Sequence, residues 1–138
     1  MKYRLLLTLC CVTIFNLASA QETDKAQVEK TVSYYLDGGT NNDFETLKKA
    51  FHENATMKFI SGEGYKEVNA LAFFKKGMKA GPKQNRKTSI ASIDITGNAA
   101  QAKLKIEYET FNFIDYMNLL KIDGEWKVVS KIFYRQNK

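Results

Sequence analysis

The sequence predicts an α+β fold, with three helices in its first half packed on one face of a curved antiparallel sheet supplied mostly by its second half. Three observations carry this. Residues 24–37 place Val28, Val32, Tyr35 and Leu36 at i, i+4, i+7 and i+8, the spacing of one helical stripe. Residues 99–109 alternate, with Ala102, Leu104, Ile106 and Tyr108 on one side and Lys103, Lys105, Glu107 and Glu109 on the other. Asp123-Gly124, between two strand-like runs, is a strong hairpin signal, because both residues tolerate the positive φ of a type I′ turn.

The first residues are read as a leader and not as fold. Met1 to Arg4 is basic, Leu5 to Phe15 is apolar, and Ala18-Ser19-Ala20 supplies small residues for cleavage after Ala20. The apolar run is too short for a membrane span, which needs about 20 residues. Cys10 and Cys11 follow Leu9 and Cys10, where a lipid-attachment site prefers a small residue. The expectation is a signal peptide over 1–20 and a single domain over 21–138, periplasmic or secreted, with no membrane span in the mature form. A Gram-negative periplasm is favoured; the sequon Asn54-Ala55-Thr56 matters only in a eukaryotic host.

Both cysteines leave with the leader, so disulfides and thiol-bound metals are not expected. Loss of Lys2 and Arg4 lowers the formal net charge from +6 to +4, a modest excess that does not mark a nucleic-acid binder. With one histidine, His52, and no His-Glu spacing, neither a metal site nor a cofactor is expected.

After the first helix, Gly38-Gly39 is expected to end it. Asn42 opens a second, short helix, with Glu45 three residues on in a capping-box arrangement and Phe44, Leu47 and Phe51 facing inward. Thr56 to Ser61 reads as a strand, turned at Gly62-Glu63-Gly64 into a short strand over Tyr65 to Val68. Asn69 caps a third helix, Ala70 to Lys79, whose stripe is Leu71, Phe74 and Met78 with Phe73 beside it; Gly81-Pro82 stops it. Strands follow over Thr88 to Thr96 and Ala99 to Glu109, with a turn near Thr110 to Asn112. The run from Lys75 to Lys87 contains no acid and reads as a solvated loop or as an attractor for an anion.

The last hairpin sets the site. A two-residue loop at Asp123-Gly124 puts Leu119 opposite Val128, Met117 opposite Ser130, Asp115 opposite Ile132 and Phe113 opposite Tyr134, all on one face. The other face carries Ile114, Tyr116, Leu120, Val129 and Phe133 among its lysines, which suits pairing of two copies into a homodimer. Asp115 is then a carboxylate among apolar neighbours, whose ionised form is disfavoured, so that it serves a ligand as a hydrogen-bond donor. Its structural alternative is a bulge that turns it to water. Tyr35 either packs or orients a ligand; His52 either closes the second helix or sits at a pocket mouth. Trp126 reads as core near the hairpin, ahead of a ligand platform.

Three stretches, YYLDGGTNNDFETLKKAFHENAT, the middle helix and FIDYMNLLKIDGEWKVVSKIF, together resemble the nuclear-transport-factor-2-like superfamily. The last is similar to the putative lumazine-binding branch, with its D-Y-x-x-L strand and K-x-D-G-x-W-K hairpin. The resemblance implies a cone-shaped sheet around helices, enclosing a pocket. Ketosteroid isomerase of the same superfamily uses a helix tyrosine, a strand aspartate and an aspartate base. These fall on Tyr35, Asp115 and Phe59, so the donors are kept and the base is missing. An Asp-Arg-Asp hydrolase set needs a buried arginine, whereas Arg86 lies in a polar loop and Arg135 on the outer face. The expectation is a pocket for a small, mostly apolar ligand, lined by Tyr35, His52, Phe59, Tyr108, Asp115, Met117 and Ser130, without robust catalysis. The alternatives are an isomerase or cyclase using Asp115 as base with Tyr35, or a dimeric interaction module.

Overall fold

The computed structural model describes residues 23–138; the expected leader and its cleavage site lie outside them. Helix α1 spans 23–40. It is followed by α2 (Phe44–Leu47), a 3₁₀ turn (Lys48–Ala50), β1 (Phe51–Ser61), β2 (Gly64–Asn69) and α3 (Ala70–Gly77). The meander β3 (Lys87–Thr96), β4 (Ala99–Glu107), β5 (Phe111–Ile122) and β6 (Glu125–Asn137) completes the chain. The expected α+β architecture holds: three helices and one curved, unclosed sheet of strand order β2-β1-β6-β5-β4-β3. One pairing departs from the antiparallel expectation. β1 lies parallel to β6, so the first strand closes onto the last and the sheet is mixed.

The stripe on α1 is buried as its spacing requires, with Val28 and Val32 fully enclosed and Tyr35 and Leu36 nearly so. Across from it lie Leu104 and Ile106 of β4, Met117 and Leu119 of β5, and Val128 of β6. Two contacts fix the start of α1 on the last hairpin. Thr31 Oγ1 donates to the Trp126 carbonyl at 3.1 Å, and Asp24 Oδ1 accepts from Lys121 Nζ at 2.7 Å and Trp126 Nε1 at 3.1 Å. Trp126 is accordingly core.

Gly38-Gly39 does not end α1, which runs on to residue 40. A Cβ on Gly38 would overlap the Leu47 backbone nitrogen and lie 2.7 Å from Leu47 Cα, and one on Gly39 would overlap an Arg86 guanidinium nitrogen. The pair marks a close approach, with the chain reversing instead at Asn42, whose φ is +54°. The cap of α2 also moves by one residue. Asp43 Oδ1 accepts from Thr46 N at 3.1 Å, so Asp43 and not Asn42 is the N-cap. Phe51 begins β1 rather than extending the helix.

The last hairpin turns at Asp123-Gly124, both at positive φ, with Leu119 opposite Val128 as expected. Beyond that pair a bulge at Val129 shifts the register by one: Asn118 faces Ser130, Met117 faces Lys131, and Asp115 faces Phe133. A one-residue slip moves every later side chain to the other face. On β6, therefore, Lys131 and Phe133 turn inward, while Ser130, Ile132 and Tyr134, expected inside, lie on the outer face. The β5 parity stands, so Asp115 and Met117 face the interior, each with no exposed surface.

Candidate functional site

The slipped register delivers a lysine to the expected aspartate. Lys131 Nζ lies 2.9 Å from Asp115 Oδ1, and Tyr35 OH donates to Asp115 Oδ2 at 2.7 Å. The three groups come from β6, β5 and α1 and retain 4%, 0% and 6% of their exposure. A lysine is almost never this buried unless paired, and Asp115 supplies the pairing. Water is replaced by rings: the ammonium sits 4.1 Å from the Phe133 ring centre and 5.7 Å from that of Tyr35. Among the described residues it has one hydrogen-bond acceptor, Asp115 Oδ1, although an ammonium carries three donors.

The expected role of Asp115 is thereby corrected. Lys131 and Tyr35 donate to its two oxygens, so it acts as an acceptor, and the donor with N–H groups to spare is Lys131. Burial lowers the Lys131 pKa from the usual lysine value, with the Asp115 charge and hydrogen bond opposing. Burial raises the Tyr35 pKa well above the usual tyrosine value, with the Asp115 charge adding to it. Tyr35 thus stays a protonated donor throughout the neutral range.

Aromatic rings form a continuous layer over this set. Tyr35 packs edge-on against Phe51 at 5.7 Å, and the contacts continue through Phe74, Phe73, Phe59 and Phe133 to Phe113. Phe59 and Phe133 are stacked at 5.1 Å. Phe59 thus lies within the ring layer, while Tyr108 stands at its far end, 4.6 Å from Phe111. Phe73, on α3, is 44% exposed and is the most exposed ring of the layer.

Arg86 lies in the loop before β3, as expected, but its side chain folds back onto α1. Its Nε donates to Thr40 Oγ1 at 2.9 Å, Nη1 to Tyr108 OH at 3.0 Å and Nη2 to the Leu36 carbonyl at 3.1 Å. From the basic loop its guanidinium therefore caps the C-terminal end of α1, where a cation meets the helix dipole. Gln84 straps the same loop to α1 through the Gly39 carbonyl at 2.9 Å. These partners include no carboxylate, so no Asp-Arg-Asp set forms at Arg86.

Of the expected site residues, Tyr35, Asp115 and Met117 converge, with Phe59 above them. Ser130 does not join them: on the outer face, its Oγ accepts from Asn118 Nδ2 at 2.9 Å. His52 lies in β1, where its Nδ1 accepts from Asn54 N at 3.1 Å, and does not close α2. Surface hollows lie elsewhere, among them one of about 340 Å³ on the outer face beside Gln101, Asn118 and Leu120. Another of about 430 Å³ runs between α1 and the last hairpin beside Lys30, Tyr34 and Lys49, and one of about 260 Å³ lies beside Arg86 and Tyr108; none of these is lined by Asp115. Among the described residues no three His, Cys, Asp or Glu side chains gather as a metal site, and no helix is long and apolar enough to cross a membrane.

Comparison with known proteins places this geometry in context. The model of a family described as "Putative lumazine-binding" matches residues 23–134. A solved NTF2-like protein of unknown function from Shewanella baltica OS155 is 29% identical with a TM-score of 0.75, covering 84% of this chain and 96% of its own. A second, from Methylobacillus flagellatus KT, is 28% identical with a TM-score of 0.73, covering 83% and 93%. A third, from Silicibacter pomeroyi DSS-3, shares the fold at 18% identity and a TM-score of 0.71, covering 84% and 98%. No curated protein matches the chain.

Proposed function

The chain belongs to the putative lumazine-binding family of NTF2-like proteins, and from that premise we propose that it is an exported protein that holds a small, flat, mostly apolar molecule against the Tyr35–Asp115–Lys131 set. The observation that carries this reading is the enclosed ammonium of Lys131, with one protein acceptor and an aromatic ring 4.1 Å away. A carbonyl oxygen on a flat ligand would take a free N–H of Lys131, while Phe59, Phe74 and Phe133 supply apolar faces. An N–H on the same ligand edge would use the lone pair that an Asp115 oxygen keeps beside the bond it already accepts. Lumazine, a pteridinedione with both groups on one edge, is the first probe to try.

Access would run past Phe73 and Phe74 on α3, since the polar set is closed in the structure. Binding is favoured over turnover because both Asp115 oxygens are occupied. As a general base it would first have to release Tyr35 or Lys131, and the notional isomerase base position is the ring of Phe59. The experiment is calorimetric titration of lumazine into wild type and into an Asp115→Leu/Lys131→Met double variant. That variant exchanges the ion pair for apolar groups, methionine matching lysine in volume and leucine exceeding aspartate. Loss of affinity by tenfold or more in the folded double variant supports the reading; equal affinity contradicts it.

A homodimer through the outer sheet face is the companion reading. Ile60, Tyr65, Ile132 and Tyr134 are 76%, 61%, 47% and 68% exposed there. Ile132 pairs with Tyr116, and Tyr134 with Ile114, so the patch is contiguous across β5 and β6. Contiguous exposed apolar area of this kind marks an interaction surface.

A further inference from the structure

We infer that Lys131 is a carbonyl-capturing amine, which condenses with a flat aldehyde or ketone admitted beneath the aromatic layer and holds it as an imine. The inference rests on the pocket reading above and names its ligand class. An amine becomes nucleophilic when its charge is disfavoured by desolvation, and the Lys131 side chain is 4% exposed. The bridge of 2.9 Å to Asp115 is the route by which it sheds its proton. Two opposite charges enclosed together are costly, and transfer across that bridge leaves two neutral groups in the same space.

The step balances on the residues present. The proton of the Lys131 ammonium passes to Asp115, and the freed amine attacks the carbonyl carbon; one proton of the attacking nitrogen then passes to the former carbonyl oxygen, giving a neutral carbinolamine. That hydroxyl leaves as water, assisted by the proton held on Asp115, and a C=N bond joins Lys131 to the ligand. One water is released, no electrons are gained or lost, and Asp115 ends as the carboxylate beside a protonated imine. Tyr35, donating to Asp115 Oδ2 at 2.7 Å, positions the carboxyl group during both transfers. The aromatic layer gives the ligand apolar faces and limits the water that would hydrolyse the imine.

Naphthaldehyde, a flat aromatic aldehyde, with cyanoborohydride to reduce any imine to a stable amine, is the probe. Peptide mapping of the folded full-length protein reads the label at every lysine. The inference expects Lys131 to be labelled about tenfold more than the mean of the exposed lysines, and expects Lys131→Arg, which keeps the ion pair but forms no imine, to lose that label alone. Label confined to exposed lysines in the wild type overturns the inference, with no need of a variant. Naphthylmethanol separates the two readings. If it binds while Lys131 stays unlabelled, the covalent step fails and the pocket stands; if neither molecule binds, both fail.

Discussion

Asp115 and Lys131 stabilise the fold only as a pair. Removing one partner leaves an uncompensated buried charge, which costs about 3–5 kcal/mol, whereas replacing both by apolar groups is often neutral. Asp115→Leu and Lys131→Met should therefore each lower unfolding free energy by about that amount, and the double variant should recover the charge penalty but not the bond that Tyr35 loses, as read by urea denaturation. The alkaline limb carries a second signature. Lys131 has a lowered folded pKa, so the unfolded chain binds more protons below the ordinary lysine value and stability rises with pH there. Tyr35 has a raised folded pKa, so the unfolded chain ionises first and stability falls as pH climbs past the ordinary tyrosine value. The stability difference between wild type and Tyr35→Phe should accordingly shrink above about pH 10; a constant difference would mean that Tyr35 is not held protonated. Asp115 was legible in the sequence because the strong Asp123-Gly124 turn fixed the β5 parity. Lys131 was not, because the run VVSKIFY alternates equally well in either phase, and only the bulge at Val129 selects between them.

The elements show where local signals mislead. Gly38 and Gly39 resemble a helix stop, yet both lie within α1 and serve close packing. Glycine to alanine inside a helix ordinarily gains about 1 kcal/mol. Gly38→Ala should instead destabilise by about 1–3 kcal/mol, since the overlapped atoms belong to the α2 backbone and cannot swing away. Gly39→Ala meets a side chain, so it should destabilise the wild type but become nearly neutral in an Arg86→Ala background. Thermal melts of the four proteins test that coupling. The hairpins and the α3 cap at Asn69 were readable, because turn and cap chemistry is local. The parallel pairing of β1 with β6 was not, since it joins strands some 70 residues apart and leaves no turn in the sequence. Arg86 was likewise hidden: nothing in a basic loop marks which cation folds back onto a helix end.

At the scale of the molecule, the α+β class, the curved sheet and the family were all visible in three stretches of sequence. Composition and pattern sufficed because the helical stripe of α1 and the long strand meander after residue 86 are each strongly periodic. The face intended for a partner copy was only half right. Ile114, Tyr116 and Leu120 do lie outside, but Phe133 is turned in and Ile132 and Tyr134 take its place. Ile132→Glu or Tyr134→Glu should convert the proposed dimer to monomer in sedimentation velocity without altering the far-ultraviolet spectrum, because both side chains are already exposed. A wild type that sediments as a monomer would refute the dimer while leaving the interior site untouched. The most direct test of the central claim, that the enclosed Tyr35–Asp115–Lys131 set holds a ligand, is native mass spectrometry of protein purified from its own source. A bound small molecule is expected in the wild type and not in the folded Asp115→Leu/Lys131→Met double variant; a wild type at the bare polypeptide mass would refute the ligand site.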